Sequence, residues 1–333
     1  MSWETLRNKQ PNVVRILTNS FLKNRLAHAY LFEGGKGTGK IEAAFLFAKR
    51  YFCESPEGVE PCNACGNCRR IDSGNHPDVH VIQPDGQSIK KGQIQDLIKE
   101  FSYRGVESRR KVYLLKHADK MTTQAANSLL KFLEEPGKMT VALLLTEQAQ
   151  QMLPTILSRC QMLSFSALTP SVLEAELSEE DSEALRKAAV ALTNDVEEAK
   201  AMCTDGWFAQ ARTMVVQLTE ELRRHPYEAF LFLEDKWHAH FQDKTQLATG
   251  LDFLLLWYRD VLLVQLEQLA DVVFVDYKNQ LEEEALSSFV ERTERQMTAV
   301  LEARRRLDAN VHSHSVMEQL VWKLQGGSTH AKI

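Results

Sequence analysis

The deciding stretch is His28-Ala29-Tyr30-Leu31-Phe32-Glu33-Gly34-Gly35-Lys36-Gly37-Thr38-Gly39-Lys40. A short apolar run stops at glycine, as a buried strand does, and a glycine-rich loop follows. From Ile41 to Phe52, the residues Ala43, Ala44, Leu46, Phe47 and Ala48 keep helical spacing. Strand, glycine loop and helix in that order make Gly34–Lys40 read as the G-x-x-x-x-G-K part of a phosphate-binding loop. Glycines such as Gly34 and Gly39 let backbone N–H groups face phosphate oxygens. Lys40 supplies a point charge, and the helix adds its positive end. The alternative is a plain flexible glycine turn, against which the strand–helix context argues.

Working outward, Asn12–Asn24 has helical spacing through Val13, Val14, Ile16, Leu17, Phe21 and Leu22. Strands are expected at Val79–Ile82, Lys111–Leu115, Thr140–Leu145 and Gln161–Phe165. Between them, Gly92–Phe101 reads as a helix, and Thr122 caps another that runs to a stop at Pro136. This alternation predicts an α/β fold with a parallel sheet covered on both faces. After Leu168-Thr169-Pro170 the strand signal disappears, and helical periodicity runs to Leu324, with a tail at Gly326–Ile333 expected to fray.

Two parts of a working Mg²⁺ site are missing. Ile41 stands where a phosphate loop needs a Ser or Thr hydroxyl for the metal. The strand Val112–Leu115 ends in Lys116-His117-Ala118-Asp119, a lysine and a histidine where two acids would hold Mg²⁺ and activate water. Asp119 lies farther on and reads as a structural or capping carboxylate.

Cys53, Cys62, Cys65 and Cys68 fall within one Pro-, Gly- and Asn-rich insertion at about 53–74. Two close C-x-x-C steps and a longer arm suit a structural Cys₄ zinc site, whose binding energy, on the order of 10 kcal/mol, would fold a segment with little core of its own. Reduced, metal-free thiols or an iron–sulfur cluster satisfy the same count. Cys160 and Cys203 stand alone and read as packing residues.

The 333 residues allow two or three domains. A formal charge of −5 argues against nucleic-acid affinity as a bulk property. Arg104, Arg109, Arg110 and Lys111 read as a solvated lead-in to a buried strand, with a DNA-backbone or partner contact as the alternative. There is no long apolar run and no secretory signal after Met1, so the expected compartment is the cytoplasm.

Taken together, these motifs resemble the bacterial sliding-clamp loader subunits of the AAA+ class. The resemblance is carried by Trp3, Gln10, His28–Gly34, the cysteine insertion, Asn127-Ser128-Leu129-Leu130-Lys131-Phe132-Leu133-Glu134-Glu135-Pro136 and Leu153-Pro154-Thr155-Ile156-Leu157-Ser158-Arg159-Cys160. It continues more weakly through Trp257-Tyr258-Arg259-Asp260 and Leu307-Asp308-Ala309-Asn310. It implies a AAA+ nucleotide-binding-type domain at 1–168, a helical lid at 169–207 and an all-helical collar at 208–333. Ile41, Lys116 and His117, and Glu197 where motor subunits carry a lid arginine, point to the non-motor, stator branch. They put ATP binding, and not only hydrolysis, in question. The resemblance also implies that Arg159 is presented to the ATP of a neighbouring subunit, with Ser158 orienting the turn. Implied partners are the tau/gamma motor subunits and the delta subunit in a hetero-oligomeric ring, and through that assembly a sliding clamp and primed DNA. Own ATPase activity is not expected, although the assembly belongs to a DNA polymerase holoenzyme.

Two other functions compete. An active ATPase motor of the same family would need the hydroxyl and acids that Ile41, Lys116 and His117 replace. A zinc-dependent nucleic-acid reader would bind DNA as a monomer with steep salt dependence, which the acidic balance opposes.

Overall fold

A computed structural model of the chain describes residues 2–102, 110–135, 137 and 139–326. Arg104, Arg109, the stop at Pro136 and the tail beyond Gly326 lie outside these residues. The chain divides into two units, Met1–Val172 and Leu173–Ile333.

Among the described residues the first unit holds five strands: β1 (Ala29–Glu33), β2 (Val79–Ile82), β3 (Lys111–Leu115), β4 (Thr140–Thr146) and β5 (Gln161–Ser164). They form one sheet in the order β2-β3-β4-β1-β5, and every pairing is parallel. β3 and β4 are buried along their whole length, as the continuous apolar runs Lys111–Leu115 and Thr140–Thr146 require when both faces are covered.

Side chains alternate between two cores, as the two-residue period of a strand demands. On one face Tyr30, Phe32, Val112, Leu114, Leu143 and Leu145 meet three helices, α1 (Trp3–Lys9), α2 (Pro11–Leu22) and α3 (Lys40–Phe52). On the other face Leu31, Tyr113, Leu115, Ala142 and Leu144 meet two further helices. To keep chain order, the insertion helix Gly66–Asp72 is α4, and these two are α5 (Lys91–Ser102) and α6 (Thr123–Glu134). Thr122 caps α6 as expected, accepting a hydrogen bond from the Ala125 amide at 3.2 Å. A short turn of helix, α7 (Pro154–Leu157), precedes β5.

Among the described residues the second unit is entirely helical. Its longest helix, Lys244–Gln265, packs against Gly206–Arg224, Lys278–Ser287 and Val290–Asp308. One apolar core runs from Leu177 through Ala199, Phe208 and Trp257 to Leu324, so the helices on both sides of residue 208 share it. Trp237 and Trp257 lie inside this core, while Trp322 is 40% exposed. Asp260 is fully buried and accepts the Val273 and Phe274 amides at 2.7 and 2.8 Å. No described helix is long and apolar enough to cross a membrane.

Candidate functional site

The glycine loop leaves the end of β1 and opens α3, the arrangement a phosphate loop needs. Gly39 sits at φ 87° just ahead of α3, a left-handed conformation that favours glycine. Gly34 is required for a different reason. A Cβ there would lie 2.5 Å from the Phe165 carbonyl oxygen, so the loop must pass close to the chain leaving β5. Gln10, almost fully buried, fastens the loop from behind. Its Nε2 donates to the carbonyls of Thr38 (3.0 Å) and Ser166 (2.6 Å), and its Oε1 accepts the Ser166 amide at 3.1 Å.

Lys40 turns its ammonium back on the loop, donating to the carbonyls of Gly34 and Gly35. Burial lowers its pKa, and the carboxylates of Glu147 and Asp119 oppose that shift. Ile41, the next residue, is 44% exposed and offers no metal ligand. At the end of β3, the Lys116 ammonium stands 6.0 Å from the centroid of the Phe45 ring. His117 adopts φ 53° and faces Glu147 at 4.0 Å. Asp119 accepts the Thr146 hydroxyl at 2.8 Å, which binds it to the end of β4 in a structural role. The acids near the loop include Asp119, already engaged by β4, Glu42 in the first turn of α3, and Glu147, which no sequence motif marked.

Arg159 follows α7 on an exposed turn. Its Nη2 meets Glu134 Oε1 at 2.7 Å, and its Nη1 donates to the Thr155 carbonyl at 2.9 Å. Ser158 Oγ lies 3.4 Å from the same Nη1 and donates to the Thr155 carbonyl. The guanidinium is thus oriented from two sides while its side chain stays 35% exposed.

The four cysteines converge. The sulfurs of Cys53, Cys62, Cys65 and Cys68 all lie within 4.8 Å of one another. A tetrahedral zinc with Zn–S of about 2.3 Å separates its sulfurs by roughly 3.8 Å, so the cluster needs little closure. The Cys62 amide donates to Cys53 Sγ at 3.2 Å and the Cys65 amide to Cys62 Sγ at 3.3 Å, the donors a thiolate shell uses. Amide donation from Ala64 and Cys65 carries the Cys62 thiol down to about 6, whereas burial raises Cys68 and Cys53. The set therefore fits a thiophilic metal. The insertion is anchored where Lys49 Nζ meets Asp72 at 2.8 Å, joining α3 to α4, and where Asn67 donates to the Phe52 carbonyl at 3.0 Å. The nearby histidines are occupied elsewhere: His76 Nδ1 accepts the Asp78 amide, and His80 stacks on Tyr113. Cys160 and Cys203 stand apart, with burial raising both thiols.

A family model described as "DNA polymerase III, delta subunit" matches residues 9–169. The DNA polymerase III subunit delta′ of Bacillus subtilis (strain 168) is 49% identical over 328 residues, covering 98% of this chain and 99% of that one. The chain belongs to the delta-prime family of DNA polymerase III subunits. The resemblance to AAA+ clamp-loader subunits is thereby borne out. A tau relative is similar over half of the chain. DNA polymerase III subunit tau of Escherichia coli (strain K12) is 37% identical over 169 residues, 50% of this chain and 26% of that protein. The fold matches a solved DNA polymerase III gamma subunit-related protein of Thermotoga maritima at TM-score 0.50 and 18% identity, covering 94% of this chain and 98% of that one.

Gln10 and Glu134 entered the sequence picture only as family-like letters, with no role attached. Their partners are 156 and 25 residues away, beyond the reach of any local pattern. Arg110 proves to be engaged within the fold, with its Nη1 donating to the Tyr51 carbonyl and its guanidinium 5.3 Å from the centroid of the Tyr51 ring.

Proposed function

We propose that this delta-prime family member is the non-hydrolysing stator of the clamp loader, and that its chemical contribution is made in the next subunit. The observation that carries this reading is the contrast within one unit. Ile41, Lys116 and His117 replace the Mg²⁺ ligands of its own loop, while Arg159 is held exposed on an oriented turn. A guanidinium donating to a neighbour's triphosphate stabilises charge that develops during phosphoryl transfer, and such arginines are worth roughly 10³–10⁵ in rate elsewhere. Gly34, Gly39 and Lys40 then serve as inherited architecture, with ATP at this loop outside the reaction.

In this reading, residues 169–207 act as a lid and 208–333 as the collar that joins tau/gamma motor subunits and the delta subunit in the cytoplasm. The assembly opens a sliding clamp and sets it on primed DNA. Cys53, Cys62, Cys65 and Cys68 hold zinc structurally. With all four ligands from protein, such a metal has no open position for water and supplies folding energy alone.

The test is ATP turnover by a loader reconstituted with Arg159→Ala. Turnover at the neighbouring site falls by roughly 10³ or more, while the complex still elutes intact. A turnover rate equal to that of the unaltered complex would remove the trans-acting role.

A further inference from the structure

A second donor cluster lies in the all-helical unit, far in sequence from the cysteines. The helix Glu228–Phe232 continues as one wide π turn, Leu233–Trp237, before the short helix His238–His240. Such turns interrupt the α-helical ladder and are frequent at functional sites. This one carries Glu234, and His238 follows it. Facing them is His314, in the first turn of the helix Ser313–Leu324.

The His238 and His314 rings stack with centroids 3.7 Å apart and planes 20° from parallel. His314 Nδ1 is 3.8 Å from Glu234 Oε1. One ligand atom from each of the three residues lies within 4.8 Å of the others. Two imidazoles in such contact repel when both are charged, and the neutral ring is the form that metals bind. His238 Nε2 is sealed from solvent and has no hydrogen-bond partner. A buried imidazole nitrogen without a partner costs free energy.

We propose that Glu234, His238 and His314 form a second metal site, which takes a borderline divalent cation such as Zn²⁺. A tetrahedral ion with Zn–N and Zn–O of about 2.0–2.2 Å holds its ligand atoms roughly 3.4 Å apart. The stacked rings point their lone pairs side by side, so sharing an ion requires His314 to swing out of the stack as the three donors close by up to about 1.4 Å. His314 and Glu234 are 46% and 58% exposed, so nothing encloses them against this motion. Three protein donors would leave a tetrahedral ion one position for water. The His312 ring centroid is 5.4 Å from that of His314.

The chemistry differs from that of the cysteine cluster. Four thiolates hold a soft or borderline ion in a closed shell, whereas two imidazoles and a carboxylate hold it less tightly and leave it exchangeable. The ion would clasp the π turn to the start of the Ser313–Leu324 helix. The second unit would then be stiffer when free zinc is plentiful.

The test uses the full chain, purified with its cysteine site loaded and titrated with ZnCl₂ alone by calorimetry. A second equivalent binds, saturating below about 1 mM, and brief chelation removes it before the first. His314→Gln and His238→Gln each weaken that equivalent by roughly 10-fold or more, while Cys68→Ser leaves it in place. His314 is half exposed, so the fold of His314→Gln is secure and its metal-free melting curve serves as the control. Absence of a second equivalent, or one that survives both histidine substitutions, overturns the proposal.

Discussion

Replacing Glu134 with Gln separates parking of the Arg159 guanidinium from its action. The ion pair is short, 2.7 Å, but its side chains are 35% and 51% exposed. Pairs in that setting contribute about 0.2–1 kcal/mol, because water screens them and two long side chains lose freedom. One kcal/mol is about a 5-fold change in an equilibrium, so releasing Arg159 should alter turnover at the neighbouring site by no more than about 5-fold. The Thr155 carbonyl still orients Nη1 at 2.9 Å, and the small change is expected to be a gain. Losing the guanidinium itself removes roughly 10³ in rate, about 4 kcal/mol of transition-state stabilisation. The assay is steady-state ATP turnover of the reconstituted loader with clamp and primed DNA, beside the melting temperature of the isolated chain. If Glu134→Gln falls as far as Arg159→Ala at an unchanged melting temperature, the carboxylate is itself required and parking is the wrong description. If Arg159→Ala stays within 5-fold, the residue is an ordinary surface arginine.

Three further outcomes are expected. Ile41→Thr should not produce phosphate release by the isolated chain, since Lys116 and His117 still occupy the acid positions; measurable Mg²⁺-dependent turnover would contradict the stator reading. Cys68→Ser should cost about one equivalent of zinc by elemental analysis and make Cys53–Asp72 protease-sensitive, whereas full metal retention would speak against a four-thiolate shell. Burial raises the Glu284 carboxyl to about 7, against the pull of the Trp257 indole N–H, Arg223 and Arg292. Because the folded pKa exceeds the unfolded one, the folded state holds an extra proton between about pH 4.5 and 7. Stability of the second unit should therefore decline by about 3 kcal/mol as pH rises through that window. Glu284→Gln should flatten the decline in urea titrations followed by Trp257 fluorescence; an unchanged slope would exclude Glu284 as its source.

The strands of the first unit were legible because β3 and β4 are continuous apolar runs and β1 ends on glycine. The cysteine site was legible because its ligands repeat within one short segment. Other features were hidden for a common physical reason. Gly34 reads as a phosphate-loop residue, yet the close approach that demands glycine comes from Phe165 on a distant segment. Glu134 looks like any acid at the end of a helix until folding brings Arg159 beside it. His238 and His314 share no local period, and only the packing of two helices makes them neighbours. Local periodicity reports which face is buried, and it carries no information about which distant side chain will be opposite.

The amide of Gln10 bears on how the chain comes off the ribosome. It joins Thr38, made early, to Ser166, made only after all five strands have been synthesised. β1 likewise has no strand partner until β4 and β5 emerge. The four cysteines lie within sixteen residues of chain and are all made long before either event. During synthesis the cysteine segment can therefore fold beside a glycine loop that is still slack, and the loop should set last, when Ser166 reaches Gln10.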